Sequence, residues 1–509
     1  MKKKDKNKKM KMLAGILLVL VILASAIYFY QREGILFSPP TQSFQGELQI
    51  AVADDFENGI ATYFYYLQTE TERYELIFDS NPPLGRSGKI IEVTGKLKRD
   101  NKIQVSDLSI LQEPEPLIAN EENLGEQKTL VILVNFRDNQ DEPITVEEAE
   151  QYVFDENYQS SLNSFVKENS YEKAFVTGDV YGWYTIEMDS ETCEDSNEVL
   201  NLAINESDPD INFANYERII IIFPDCPTGW AGMGTIGKGR TISTDEGERR
   251  VSVSWIKWLN RDKKYNLGTI KHEFGHNLDL RHANYYDCGN EVAMDNCESF
   301  EYGDIFDTMG WSGSGAHFSA LNKELIGWIE DTFSISQPGI YKIALLEINT
   351  NNIRSYKISP AEYAWTQKEE EYTSENIYIE YRRPILLDSN LENIDGVFLR
   401  LDSDARKTNL LDLSPVEERR GSVILREGRY FFLEQAGMFL TVQELTDEYA
   451  EIELSFSIPL LELPDKSFKR SEIHESVISQ PLYYDDEGNP VYAKQDAHKI
   501  LETLTTPDF

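Results

Sequence analysis

Three histidines in the stretch "KHEFGHNLDLRHA", Lys271 to Ala283, constrain the fold more than any other feature of the chain. His272 and His276 stand four positions apart, so on an α-helix they leave one face a turn apart. At 100° per residue Leu267, Ile270, Phe274 and Leu278 gather on the opposite face. The helix would pack that apolar side inward and aim two imidazoles into a cleft. A catalytic metal site takes three protein ligands and keeps one position open. His282 can be the third ligand only if the helix ends before it, because unbroken helix would carry it about 15 Å beyond His272. The sequence therefore requires a sharp helix end near Asp279. Glu273 lies beside His276 on the rim of the polar face. There it can reach a metal-activated water without being a ligand, as the H-E-x-x-H pattern needs.

The spacing H-E-x-x-H-x-x-x-x-x-H resembles the metzincin zinc signature, whose eighth position is normally Gly. Here that position is Asp279, one of the few residue types besides Gly that accept a left-handed backbone. The downstream "EYGDIFDTMGW", Glu301 to Trp311, resembles the metzincin Met-turn, with Met309 forming an apolar floor under the imidazoles. From "HEFGHNLDLRHA" through "YYDCG" to the Met-turn the chain is most similar to gametolysin-like metallopeptidases. "NSYEKAFVTGDVYGWYTI" before the site and "YIEYRRPILLD" after it extend the similarity over about residues 128–458.

The resemblance implies a zinc endopeptidase in which Zn2+ is held by His272, His276 and His282, and Glu273 takes the proton of the attacking water. It also implies a protein or peptide substrate. Some metzincins place a Tyr two residues after the Met to assist the oxyanion; Trp311 stands there in this chain. The rival reading is a surface binding protein with a structural or degenerate metal site, its function carried by flanking β-domains. Retention of Glu273 argues against it, since a structural site needs no general base.

"GMGTIG", Gly232 to Gly237, matches the dinucleotide fingerprint but is followed by hairpin-like "KGRTISTDEGERRVSVSW" in place of a helix. Gly232, Gly234 and Gly237 instead suggest an edge strand along which a substrate backbone can approach closely. His317 lies just past the Met-turn and reads as a loop or cap residue.

The rest of the chain is read from pattern. The 509 residues exceed one ordinary core, and a 41% apolar share suits packed domains. "MKKKDKNKKMK" is basic although the chain carries a net −39. The body is thus strongly acidic, which disfavours nucleic-acid binding. "MLAGILLVLVILASAIYFY", Met12 to Tyr30, has no charge and is close to a membrane span. A cytoplasmic basic stub with a single-pass anchor over 1–30 is expected, the body lying outside the cytoplasm; cleavage near Ala26 with secretion is the alternative. Export would let the four cysteines form two disulfides, most simply Cys193–Cys226 and Cys288–Cys297.

The expected fold is multidomain α/β plus β. A stalk over 31–45 leads to a small OB-like β-barrel over 46–113, whose alternating strands lack a basic groove, and an acidic linker over 114–127. A metzincin-like α/β catalytic domain follows over 128–330, from apolar runs such as "TLVILVNF" and "RIIIIF" alternating with helical stretches. A β-sandwich-like domain over 331–458 and a C-terminal extension over 459–509 complete it.

Overall fold

The computed structural model describes residues 41–80, 82, 85–113, 121–261, 263–287, 298–358, 376–391, 394–402, 407–413, 423–433, 438–455, 481–484 and 490–492. The chain divides into two compact units. One holds Met1–Leu48, Tyr65–Asn81 and Lys89–Glu113; the other holds Gln49–Phe64, Pro82–Gly88 and Pro114–Phe509.

Five strands concern the first unit: β1 (Gln42–Asp55), β2 (Ile60–Gln68), β3 (Arg73–Ile77), β4 (Ile90–Leu97) and β5 (Lys102–Gln112). The first half of β1 pairs antiparallel with β4, from Gln42 opposite Gly95 to Glu47 opposite Ile90. Strand β4 pairs antiparallel with β5, β5 parallel with β3, and β3 antiparallel with β2. Gly46 brings β1 against β2, since a Cβ there would lie 2.3 Å from the Gln68 carbonyl oxygen. Inward positions alternate, with Leu67, Leu76, Ile91, Val93 and Ile103 buried.

The unit boundary falls within β1 and β2, so residues 49–64 belong to the second unit. Its first sheet contains β6 (Gly125–Phe136), β7 (Ala174–Ile186), β8 (Arg218–Pro224), β9 (Gly232–Thr235), β10 (Arg240–Thr244) and β11 (Gly247–Trp258). The order is β7-β6-β8-β11-β9: the first four run parallel, β9 is antiparallel, and β10 forms a hairpin with β11. Leu130–Val134 and Ile219–Phe223 are fully buried, as parallel strands covered on both faces must be. Helices α1 (Val146–Phe154), α2 (Leu162–Asn169) and α3 (Ser196–Ser207) pack on β7, and α4 (Lys263–Asn277) packs on β9 and β11. Helix α1 begins with a capping box, Thr145 and Glu148 each accepting the other's backbone N–H.

Beyond His282 the chain passes directly into a second sheet. Ala283–Asp287 pairs parallel with Thr408–Leu411, beside strands Gly396–Leu401, Ile377–Arg382 and Ser355–Ile358. A four-stranded sheet of Gly339–Ala344, Tyr449–Ser455, Met438–Leu445 and Tyr430–Leu433 shares a core with it, joining Ile379, Tyr381 and Leu399 to Leu440, Val442 and Ile452.

The expected fold class needs correction. Among the described residues strands account for 44% and helices for 18%, so these residues are mostly β and depart from α/β plus β with a membrane helix. Short helices of 8 to 15 residues alternate with the parallel strands. The chain on either side of them is built from strands, and the stretch after the third histidine returns to sheet. The single-pass anchor is corrected as well: no helix among the described residues is long and apolar enough to cross a membrane. The longest described helix, α4, carries Lys263, Lys264, Lys271 and Glu273 along its length. Met12–Tyr30, most of the stalk, Cys288–Cys297 and nearly all of 459–509 lie outside the described residues. The Cys193–Cys226 disulfide is present.

Candidate metal centre

From Asn266 onward every residue of α4 is buried. Phe274 and Ile270 enter the core with Val153, Phe165 and Ile220, which turns His272, Glu273 and His276 toward β9 and the Met-turn. The helix ends in a Schellman arrangement. The Asp279 N–H donates to the His276 carbonyl at 2.8 Å and the Leu280 N–H to that of Gly275 at 3.1 Å. Asp279 itself adopts φ = +78°, the left-handed turn that sends the chain back toward the helix. Its carboxylate lies 3.4 Å from the Arg86 Nε. The buried Arg218 guanidinium donates to the Asn277 carbonyl at 2.6 Å, placing a cation at the negative end of the helix.

This turn brings three imidazoles together. Each ring has an oxygen acceptor at Nδ1: the Thr308 carbonyl for His272 (2.8 Å), the Leu280 carbonyl for His276 (2.8 Å) and Glu301 for His282 (2.6 Å). With Nδ1 protonated, all three Nε2 atoms are left as bases facing one point. The fourth group at that point is Asp54, near the end of β1. Its carboxylate oxygens lie 3.4 Å from His272 Nε2, 3.2 Å from His276 Nε2 and 3.1 Å from His282 Nε2. All four residues are buried, and one ligand atom from each falls within 4.8 Å of the others. The Nε2 atoms of His276 and His282 approach to 3.1 Å, and that of His272 has no hydrogen-bond partner. Three basic nitrogens and a carboxylate converge without a donor among them, which fits a cation. The group could hold a metal ion, with the Nε2 atoms and an Asp54 oxygen as ligands.

Electrostatics point the same way. Burial pushes His276 down to about 4, so it stays neutral as a ligand must. Desolvation alone would lower His282 too, but Asp54 and Glu301 raise it. The negative surroundings thus call for positive charge at the centre. Desolvation opposes ionisation of Glu301 as well, yet the His282 and Lys407 contacts hold it well below the usual carboxylate range. Glu273 is fully buried, and among the described residues neither of its carboxyl oxygens has a hydrogen-bond donor. Desolvation first, then the Asp54 carboxylate, push it well above its ordinary value.

Met309 is buried under the site, its sulfur so close to the helix that a Cβ on Gly275 would lie 2.2 Å away. Two aspartates of the same turn are buried and paired. Asp307 accepts the Met309 N–H at 2.8 Å, and Asp304 accepts from the buried Arg400 Nε at 2.8 Å. Gly232 and Gly234 lie in β9 against α4, where a Cβ would come within 2.3 Å and 2.9 Å of the Glu273 carboxylate oxygens. Gly237 takes φ = +61° and donates its N–H to the His276 carbonyl. His317 is buried away from this centre, between Glu168 (3.1 Å) and Lys323 (3.0 Å). Trp311 is 52% exposed and is not one of the grouped ligands.

No local spacing rule pointed to Asp54, Tyr302 or Tyr63. Tyr302 donates to Asp54 Oδ1 at 2.8 Å, and its ring stacks at a tilt 4.4 Å from that of His282. Tyr63 OH lies 3.3 Å from His282 Nδ1. Asp54 stands more than 200 positions before the histidines in a plain strand pattern, and no spacing rule links them. No protein-family model matches the chain, and no curated protein matches it.

Proposed function

We propose that the protein is a zinc-dependent endopeptidase. The observation that carries this reading is Glu273: a buried carboxyl group, with no hydrogen-bond donor to it among the described residues, one residue from a metal-ligating histidine. A site built only to hold a metal gains nothing from a second buried carboxyl beside its ligands, one that desolvation and the Asp54 carboxylate both disfavour in its charged form. A hydrolase gains a base. The zinc spacing and the Met-turn, both similar to those of gametolysin-like peptidases, support the same assignment.

His272, His276 and His282 would hold the ion through Nε2, and Thr308, Leu280 and Glu301 orient the rings. Zinc bound there supplies Lewis acidity, which polarises a carbonyl and acidifies water. Glu273 would take a proton at its carboxylate and return it to the leaving amine. The Tyr302 hydroxyl, aimed at the Asp54 oxygen, is placed to donate to a substrate oxygen in the same position. Trp311 has no hydroxyl, is exposed and stands outside the ligand group. An extended peptide would pair with β9 on the side opposite β11, where residues 51–54 now lie, so the substrate class is protein or peptide.

Four protein ligands are also what a purely structural metal site would show, which gives the binding-protein reading its one supporting observation. The test removes that fourth ligand. Asp54→Ala protein is incubated with a peptide library, with and without Glu273→Gln. Cleavage that depends on Glu273 supports the peptidase; equal products from both proteins, with zinc bound stoichiometrically, would reject it.

A further inference from the structure

Residues 50–54 of β1 run along β9 as an added strand. Ala51 stands opposite Thr235, Val52 opposite Gly234, Ala53 opposite Met233 and Asp54 opposite Gly232. Main-chain bonds continue at both ends, from the Ile236 N–H to the Ile50 carbonyl and from the Ala231 N–H to the Asp54 carbonyl, each 2.9 Å. The other side of β9 is already paired with β11. The side an extended peptide could join is therefore taken by the chain itself. The same five residues end in the carboxylate that fills the fourth position among the histidines.

The surrounding contacts hold this strand in place. Phe56 packs edge-on against His272, with ring centroids 4.9 Å apart, and against Tyr302 at 5.3 Å. Glu57 pairs with Arg261. The Ile50 N–H donates to Ser87 Oγ at 3.0 Å, while Arg281 Nε donates to the Gly85 carbonyl at 3.0 Å. Residues 85–87 thus bridge the added strand to the helix end, where Arg86 pairs with Asp279.

A peptide substrate needs the free edge of β9 and an open position at the metal. The segment Gln49–Phe64 removes both. We propose that this segment is an internal inhibitor of the centre, with Asp54 as a displaceable fourth ligand, so that the chain folds into a latent form. The proposal rests on the peptidase reading for its purpose, but the closed coordination can be tested without catalysis. Because the strand is part of the same chain, its effective concentration at the site exceeds that of a free peptide of similar affinity. Activation then requires movement or removal of residues 50–54, not a change in the histidines.

The experiment uses the full chain loaded with Co2+ and titrated with acetohydroxamate, a small metal-chelating anion. The visible spectrum reports the coordination of the ion. In the wild type the spectrum should stay unchanged over a concentration range that shifts those of Asp54→Ala and Asp54→Asn. The apparent affinity for the probe should rise at least about tenfold in both variants, the change expected if the position is open in no more than about a tenth of the wild-type chains. Asp54→Asn keeps the side-chain shape and decides the matter if Asp54→Ala fails to bind one equivalent of cobalt. A wild-type spectrum that shifts at the same probe concentration as the variants overturns the latch. A variant that opens to the probe yet cuts no peptide supports the latch while rejecting the peptidase.

Discussion

Replacement of Asp279 by Gly and by Ala should separate the two tasks this residue performs. Its backbone lies at φ = +78°, and its carboxylate faces Arg86 at 3.4 Å with both side chains largely buried. Both substitutions remove the carboxylate, so both lose the ion pair, which at a partly screened site is worth about 0.5–1 kcal/mol. They differ in the turn. Gly adopts the left-handed conformation without penalty, whereas Ala has no short polar side chain to ease it and costs about 1–2 kcal/mol there. Gly also loosens the unfolded chain by about 0.4–1 kcal/mol, which offsets part of its advantage. The expected result is Asp279→Gly within about 1 kcal/mol of wild type and Asp279→Ala lower again by roughly 1 kcal/mol. Urea unfolding followed by tryptophan fluorescence measures this, provided the slopes agree. If Ala proves as stable as Gly, the left-handed turn is not what the position demands. If both fall together by more than about 2 kcal/mol, the Arg86 contact and not the turn is the main task of the residue.

Glu301→Gln should weaken metal binding about 10–100-fold, measured by competition with a chromophoric chelator, because it loosens the acceptor that holds the His282 ring; unchanged affinity would show that the ring is fixed by packing alone. Gly275→Ala would drive a methyl into the Met309 sulfur, so it should cost about 1–3 kcal/mol in thermal or urea unfolding, and Gly275→Ala combined with Met309→Ala should recover part of that loss. Lys323 is buried beside Tyr171 and His317 and is pushed down to about 7, by desolvation first and then by Arg382. Its folded value lies below the ordinary 10.5, so between these two values the unfolded chain binds more protons and stability rises with pH. Lys323→Met should flatten the rise in urea midpoint between about pH 7 and 10, and an undiminished slope would refute the assignment.

The part of the site that was legible in the sequence is the part governed by local rules. His272 and His276 at i and i+4, Glu273 between them and the demand for a break before His282 follow from helix geometry, and all of them act within eleven residues. Met309 could be anticipated only through similarity, because nothing in local spacing places a methionine beneath a helix 33 positions earlier. The fold was less legible. Apolar runs such as Ile219–Phe223 announce covered strands, but they do not reveal how much further strand the chain adds, and the balance came out mostly β. The acidic motif residues were opaque for another reason. Nothing local marks Asp304 and Asp307 for burial, yet Arg400 and backbone N–H groups draw both into the interior. A buried charge is predictable only when its partner is known, and here that partner lies about a hundred residues away.

Asp54 is the extreme case, and its invisibility has a physical explanation. A ligand on a strand has no sequence neighbour that must also be a ligand, because alternate residues point to opposite faces. The strand pattern "ELQIAVADD" would read the same whether its last carboxylates met water or metal. What places Asp54 is register: Ala51 opposite Thr235 fixes Asp54 opposite Gly232, directly over Glu273. A slip of one residue would turn Asp54 to the other face and bring Ala53 or Asp55 to the site. Backbone pairing along β9 therefore sets the identity of the fourth ligand, and the glycines of β9 admit both the pairing and the helix behind it. The same hydrogen-bonding edge and the same position at the metal would serve a substrate. Competition between the chain's own strand and a peptide is thus built into the pairing, and the side that wins is set by how firmly residues 85–87 and Arg261 hold the strand down.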